Sequence, residues 1–133
     1  MKGWSRSAGP NEFNLINEDG KGILSNLLPD GTLSLAVEAG PDSEIRGVAL
    51  FDAAMTHYAE RVKAVEGAWY YGDNLDNANE LMMAGTSLKD AVAMTWTGRQ
   101  AARYGFTVPE FVSTEGDPGQ FTNIVVRFHR PEG

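Results

Sequence analysis

The chain has 133 residues, 42% of them hydrophobic and 22% charged, enough for one ordinary globular core burying roughly 65–70% of the unfolded surface. With no cysteine it excludes disulfides, thiolate metal sites and cysteine nucleophiles, and no apolar run approaches the ~20 residues of a membrane helix. The formal charge of −7 disfavours nucleic acid and anionic membrane, and it is unevenly placed: residues 1–88 carry thirteen acids against six Lys/Arg, residues 89–133 five of each.

Met1 to Asn11 is polar and rich in small residues, and reads as a flexible arm bearing one Trp4. Residues 12–133 read as a single α/β domain. Phe13–Ile16 is a short strand closed by the turn signal Asn17-Glu18-Asp19-Gly20. Ile23–Leu28 follows, then the turn Pro29-Asp30-Gly31, then Thr32–Glu38, whose strict alternation places Leu33, Leu35 and Val37 on one face. Together these predict a two- or three-stranded meander.

Asp42 reads as the cap of a helix running to about Ala64, with Ile45, Val48, Met55, Tyr58 and Val62 on its apolar face. Val65–Tyr71 is an aromatic strand broken by Gly72, and Asp73 caps the next helix, which Gly85 ends. Ser87 caps a short helix over Leu88–Met94, and Thr97 caps another that runs to Gly105. Phe106–Ser113 is a strand whose Pro109 argues for a sheet edge. After the turn Gly116-Asp117-Pro118-Gly119, Phe121–Phe128 pairs back with Ile124, Val126 and Phe128 on a common face. The predicted fold is mixed α+β, a mostly antiparallel sheet of five to six strands with one helix-strand-helix crossover.

This element order resembles the C-terminal two-thirds of the GNAT superfamily of N-acyltransferases. In that family an antiparallel meander leads into a helix whose N-terminus holds the coenzyme A pyrophosphate, and a strand, a helix and a closing strand pair follow. The family's Gln/Arg-x-x-Gly-x-Gly/Ala loop is matched here by Glu44-Ile45-Arg46-Gly47-Val48-Ala49. Gly47 and Ala49 fit and Arg46 is a usual occupant, while Glu44 stands where the family places a cation or an amide. Tyr104-Gly105-Phe106 is similar to the Gly-Phe that closes the family's last helix. The resemblance implies a coenzyme A thioester cofactor held at Arg46, Gly47, Val48 and Ala49. It also implies direct amine attack on the thioester, with Glu66 or Asp73 as base and Tyr104 as acid. The family's two acceptor-binding helices have no evident counterpart.

A looser likeness is to C-terminal effector domains of bacterial polymorphic toxins, from the texture of Trp69-x-x-Gly72-x-Asn74-Leu75 with Thr95-Trp96-Thr97-Gly98. It implies a delivered module held by an immunity protein. Within that class Glu110, Ser113-Thr114-Glu115 and Pro118-Gly119-x-Phe121 are the residues on which ADP-ribosyl transfer would rest. A non-catalytic module binding a protein or small molecule is the third reading. No signal-like N-terminus is legible, so the compartment expected is the cytoplasm, or wherever a toxin module is delivered.

The remaining chemistry-bearing residues have plainer readings. His57 and His129 are the only histidines, and no His/acid spacing makes a metal set. His57 reads as a boundary residue of the first helix rather than a base, and Asp73 and Asp76 as caps rather than calcium ligands. Arg99, Arg103, Arg127 and Arg130 are the only candidates for a basic face, and solvated surface arginines are the simpler reading. Trp69, Tyr70 and Tyr71 either line a ligand pocket or form core.

Overall fold

The computed structural model describes residues 3–132, which form seven strands and four α-helices in a mixed α+β arrangement. By contact density the chain divides into two compact units, the first ending at Lys63 and the second beginning at Ala64.

The first unit is an antiparallel meander of β1 (Trp4–Gly9), β2 (Glu12–Asn17), β3 (Gly22–Leu27) and β4 (Thr32–Glu38), paired in chain order. The alternation of β2 to β4 sends Phe13, Leu15, Ile23, Leu33 and Leu35 to one buried face. Helix α1 (Gly47–Tyr58) lies on that face over β2, β3 and β4, and buries Leu50, Phe51, Ala54, Met55 and Tyr58. Each fully buried side chain of this size contributes about 1.5–3 kcal/mol of transfer free energy. The turns are built by local side-chain bonds: Asn17 Oδ1 accepts the amides of Asp19 and Lys21, and Asp30 Oδ1 accepts that of Thr32.

Two expectations are corrected here. Residues 4–9 are no arm but a strand, in register with β2 from Trp4↔Asn17 to Gly9↔Glu12. Its Ser, Arg and Gly composition hides it, because an edge strand needs backbone pairing more than apolar side chains. The first helix begins at Gly47 rather than at Asp42. Ser43 ties residues 40–45 into a turn instead, its amide bonded to Gly40 and its hydroxyl to Ile45. The helix also stops at Tyr58, before Ala64. Ala59 takes φ 52°, a short 3-10 turn (Ala59–Arg61) follows, and Arg61 donates to the carbonyls of Pro10, His57 and Tyr58.

In the second unit, β5 (Ala64–Trp69) and β6 (Val108–Glu115) flank β7 (Asn123–His129), all antiparallel. Three helices stand between β5 and β6 in the sequence: α2 (Asp73–Met83), α3 (Leu88–Ala93) and α4 (Trp96–Arg103). Val65, Gly67 and Trp69 share a buried face with Ile124, Val126 and Phe128. A Cβ on Gly67 would meet the Trp69 indole at 2.5 Å, so the glycine gives the ring its seat. Likewise a Cβ on Gly98 would meet the Val92 carbonyl oxygen at 2.3 Å, where α4 starts hard against the end of α3.

The aromatic strand ends two residues early, at Trp69; Tyr70 and Tyr71 are 61% and 87% exposed, which removes the three-aromatic pocket. Gly72 rather than Asp73 is the N-cap of α2, and Thr95 rather than Thr97 caps α4. Thr95 wins that position because its hydroxyl accepts the Gly98 amide while donating to the Val92 carbonyl, both within a buried site. Ser87 caps α3 as expected, accepting the Asp90 amide. Helix α4 closes in a Schellman motif: Gly105 (φ 89°) bonds Ala102 and Phe106 bonds Ala101, so Phe106 is buried outside any strand and β6 begins only at Val108.

Candidate functional site

The start of α1 carries the residues that the loop pattern singles out. Arg46 is its N-cap in extended conformation (φ −72°, ψ 151°), and the first helical bond runs from Leu50 to the Arg46 carbonyl. The amides of Gly47, Val48 and Ala49 precede that bond, so the helix itself supplies them no acceptor. No side chain caps this end, and the first turn contains no acid. Arg46 and Ala49 are exposed, Gly47 and Val48 partly so.

Glu44, the residue at odds with the family pattern, accepts a hydrogen bond from the Trp4 indole at 3.1 Å. Its carboxylate is engaged by β1 and takes no part in capping the helix. What remains at the end of α1 is a positive dipole terminus beside an exposed guanidinium.

The candidate proton-transfer residues lie in three different surroundings. Glu66, in β5, is bonded to Arg127 of β7 at 2.8 Å, and the two side chains are only 13% and 28% exposed. Its carboxylate is therefore committed to an ion pair. Asp73 is the first residue of α2, exposed, and makes no hydrogen bond or ion pair among the described residues. Tyr104 is the C-cap of α4, half-buried, with its carbonyl accepting from Arg130 and the Arg103 guanidinium 5.7 Å from its ring centre. Glu66 and Asp73 do not touch, and each reaches a proton only if a substrate comes to it.

No family model, curated protein or solved structure matches this chain.

Three constellations escaped sequence reasoning. The first is a polar thread through the core of the first unit: the Ser25 hydroxyl donates to the Phe13 carbonyl at 2.5 Å and stands 3.0 Å from the Tyr58 hydroxyl. Because the single proton of Ser25 goes to a carbonyl, Tyr58 is the donor in the second bond. Burial pushes the Tyr58 phenol above its ordinary value of 10.0, and the nearby Glu12 charge acts in the same direction.

The second is a row across β5, β7 and β6. Glu66 is opposite Arg127, Arg127 is opposite Glu110, and Glu110 bonds His129 at 2.8 Å. The third is a groove beside β1, floored by Phe13 and Leu15 and flanked by His57. It could not be foreseen without β1. Among the described residues no group of three His, Asp or Glu side chains is placed to hold a metal ion. Among the described residues no helix is long and apolar enough to cross a membrane.

Proposed function

We propose that the chain is a GNAT-like acyl-CoA-binding domain in which Arg46, Gly47, Val48 and Ala49 take the pyrophosphate of a coenzyme A thioester. One observation carries this reading: α1 starts without a side-chain cap or a first-turn acid, leaving the amides of residues 47–49 without a helical acceptor beside the exposed Arg46 side chain. The order of elements around it, a meander, this helix, a strand, helices and a closing strand pair, supports the same reading. A pyrophosphate would accept from the amides while Arg46 supplies the counter-charge. Glu44, held by Trp4, does not compete for the amides.

As an N-acyltransferase the chain would let an amine attack the thioester carbonyl, forming the C–N bond as the C–S bond breaks. The amine proton would pass to a base and the departing thiolate would leave protonated, as the coenzyme A thiol. Asp73 suits the base better than Glu66, whose carboxylate is already paired with Arg127. Only Pro10 and Asn11 separate β1 from β2, so the two acceptor-binding helices that the resemblance implies have no counterpart there. The acceptor is then a group presented from outside, such as the amine of a small molecule or of another protein.

Isothermal titration with acetyl-CoA tests the cofactor. The expected result is saturable heat that Arg46→Glu reduces by roughly tenfold in affinity, as the loss of a charge-assisted contact and its reversal would. Absence of heat and of any thermal shift at millimolar acetyl-CoA would remove the reading.

A further inference from the structure

The first unit contains a second place where charge and apolar surface converge, independent of the helix start. Helix α1 packs over β2, β3 and β4 and is tied to the far end of β1 by a bond from His57 to Gly9. Between β1 and the side of α1 lies a groove of about 450 Å³, lined by Arg6, Phe13, Leu15, Ala53, Thr56 and His57. Phe13 and Leu15 are its floor and belong to the buried face of β2. Arg6 stands opposite Leu15 in the ladder, so its side chain leaves the sheet on that same face.

The electrostatics are one-sided. In a chain of net charge −7, no acid lines this groove. The Arg6 guanidinium lies 5.7 Å from the centre of the Phe13 ring and, among the described residues, makes no hydrogen bond or ion pair. The opposite wall is fixed: His57 Nε2 donates to the Gly9 carbonyl at 2.6 Å, and its ring centre is 5.2 Å from that of Phe13. That bond sets the tautomer and leaves Nδ1 as an acceptor in the neutral ring. Thr56 adds an exposed hydroxyl.

We propose that this groove is a binding site for a small carboxylate with a flat or short apolar body, the carboxylate meeting Arg6 and the body lying on Phe13 and Leu15. The volume suits a single small ligand, and a planar guanidinium over an aromatic floor matches a carboxylate in two-point geometry. An apolar ligand without charge would leave Arg6 desolvated and unmatched, and a cationic one would be repelled. The charge therefore selects the ligand class and the floor supplies affinity.

The test is a ¹⁵N–¹H correlation titration of the whole chain with 3-phenylpropionate, alongside its neutral amide. A ligand of this size is expected to bind with a dissociation constant on the order of 1 mM. Shifts should centre on Arg6, Phe13, Leu15, Ala53, Thr56 and His57, with the amide about tenfold weaker for lack of the charge-assisted bond. Arg6→Gln, at an exposed edge position that leaves the spectrum otherwise intact, should weaken the acid to the level of the amide, and Arg6→Lys should restore part of it.

Equal binding of acid and amide, unchanged binding by Arg6→Gln, or shifts centred elsewhere would each overturn the proposal. So would tighter binding at the same residues by N-acetyl-Asp-Phe-amide, which would make the occupant an acidic segment of a partner protein. These outcomes are read without coenzyme A, so they stand or fall apart from the acyltransferase reading.

Discussion

The cores of the two units are held in different ways. In the second, Trp69, Ile124, Val126, Phe128 and Phe106 form an apolar interior, and the polar bonds belong to helix caps and turns: Thr95 at the start of α4, Asn74 with Thr97, and Asn79 bracketing the Phe121 backbone amide and carbonyl. In the first, an apolar interior of similar make-up has a polar thread run through it, from Tyr58 to Ser25 to the Phe13 carbonyl. An apolar stack loses stability in proportion to the volume removed from it. A polar thread is lost as a whole, because each of its members leaves another buried and unpaired.

The widest separation expected is between two tryptophans. Trp69→Ala, at 6% exposure, should cost about 3–5 kcal/mol, against about 1 kcal/mol for Trp4→Ala, which loses one surface bond to Glu44. Chemical denaturation compares them directly. Equal midpoints would mean that the second unit does not depend on its aromatic stack.

Next in size is Ser25→Ala. It removes little volume but strands a phenol and a carbonyl, for about 1–3 kcal/mol. Tyr58→Phe in the Ser25→Ala background should then cost little more, and full additivity in that double-mutant cycle would break the thread into unrelated contacts. The same residue gives a pH signature. Because the folded-state pKa of Tyr58 is raised, the unfolded chain releases that proton first. Its contribution is complete below about pH 10 and declines as pH climbs through the folded value. Denaturation midpoints across alkaline pH should fall, and Tyr58→Phe should flatten that fall.

Two carboxylate bonds in one row sharpen the contrast further. Glu66→Gln disrupts a pair largely withdrawn from water and should cost about 1–2 kcal/mol. Glu110→Gln touches a pair 59% and 39% exposed, and by the usual worth of surface pairs should cost less than about 0.5 kcal/mol. Thermal melts of both variants check the order. Smallest, and opposite in sign, is Ala59→Gly: relief of the positive φ at the end of α1 should stabilise by up to about 1 kcal/mol.

Most of the apolar architecture was legible in the sequence because burial leaves a period. Leu33 and Leu35, Ile124, Val126 and Phe128, and the Pro29-Asp30-Gly31 turn are where alternation and turn chemistry place them. The mixed α+β class followed from their order. What escaped was carried by hydrogen bonds rather than by hydrophobicity. Strand β1 is exposed along most of its length and has no apolar signature. The helix start at Gly47 hinges on Ser43 bonding backward and forward within its own turn, and Thr95 outcompetes Thr97 as a cap through a bond to Val92. Of the candidate site, the loop residues Arg46–Ala49 do share one helix start, whereas Glu66 looked like a free carboxylate because its partner lies 61 positions away.

Strand β6 has a consequence for how the molecule opens. Among the strands it pairs only with β7, its side chains are exposed on both faces apart from the half-covered Pro109, and its ladder is interrupted at Val112. Peeling it away uncovers little apolar surface, so this segment should exchange its amide hydrogens through local fluctuation, while β7 exchanges only when the unit unfolds. Proline, two glutamates and the interrupted ladder keep the same segment from templating another chain. The strand is thus a detachable margin: the part of the sheet a protease would reach first, and the part whose loss the core beneath it would survive.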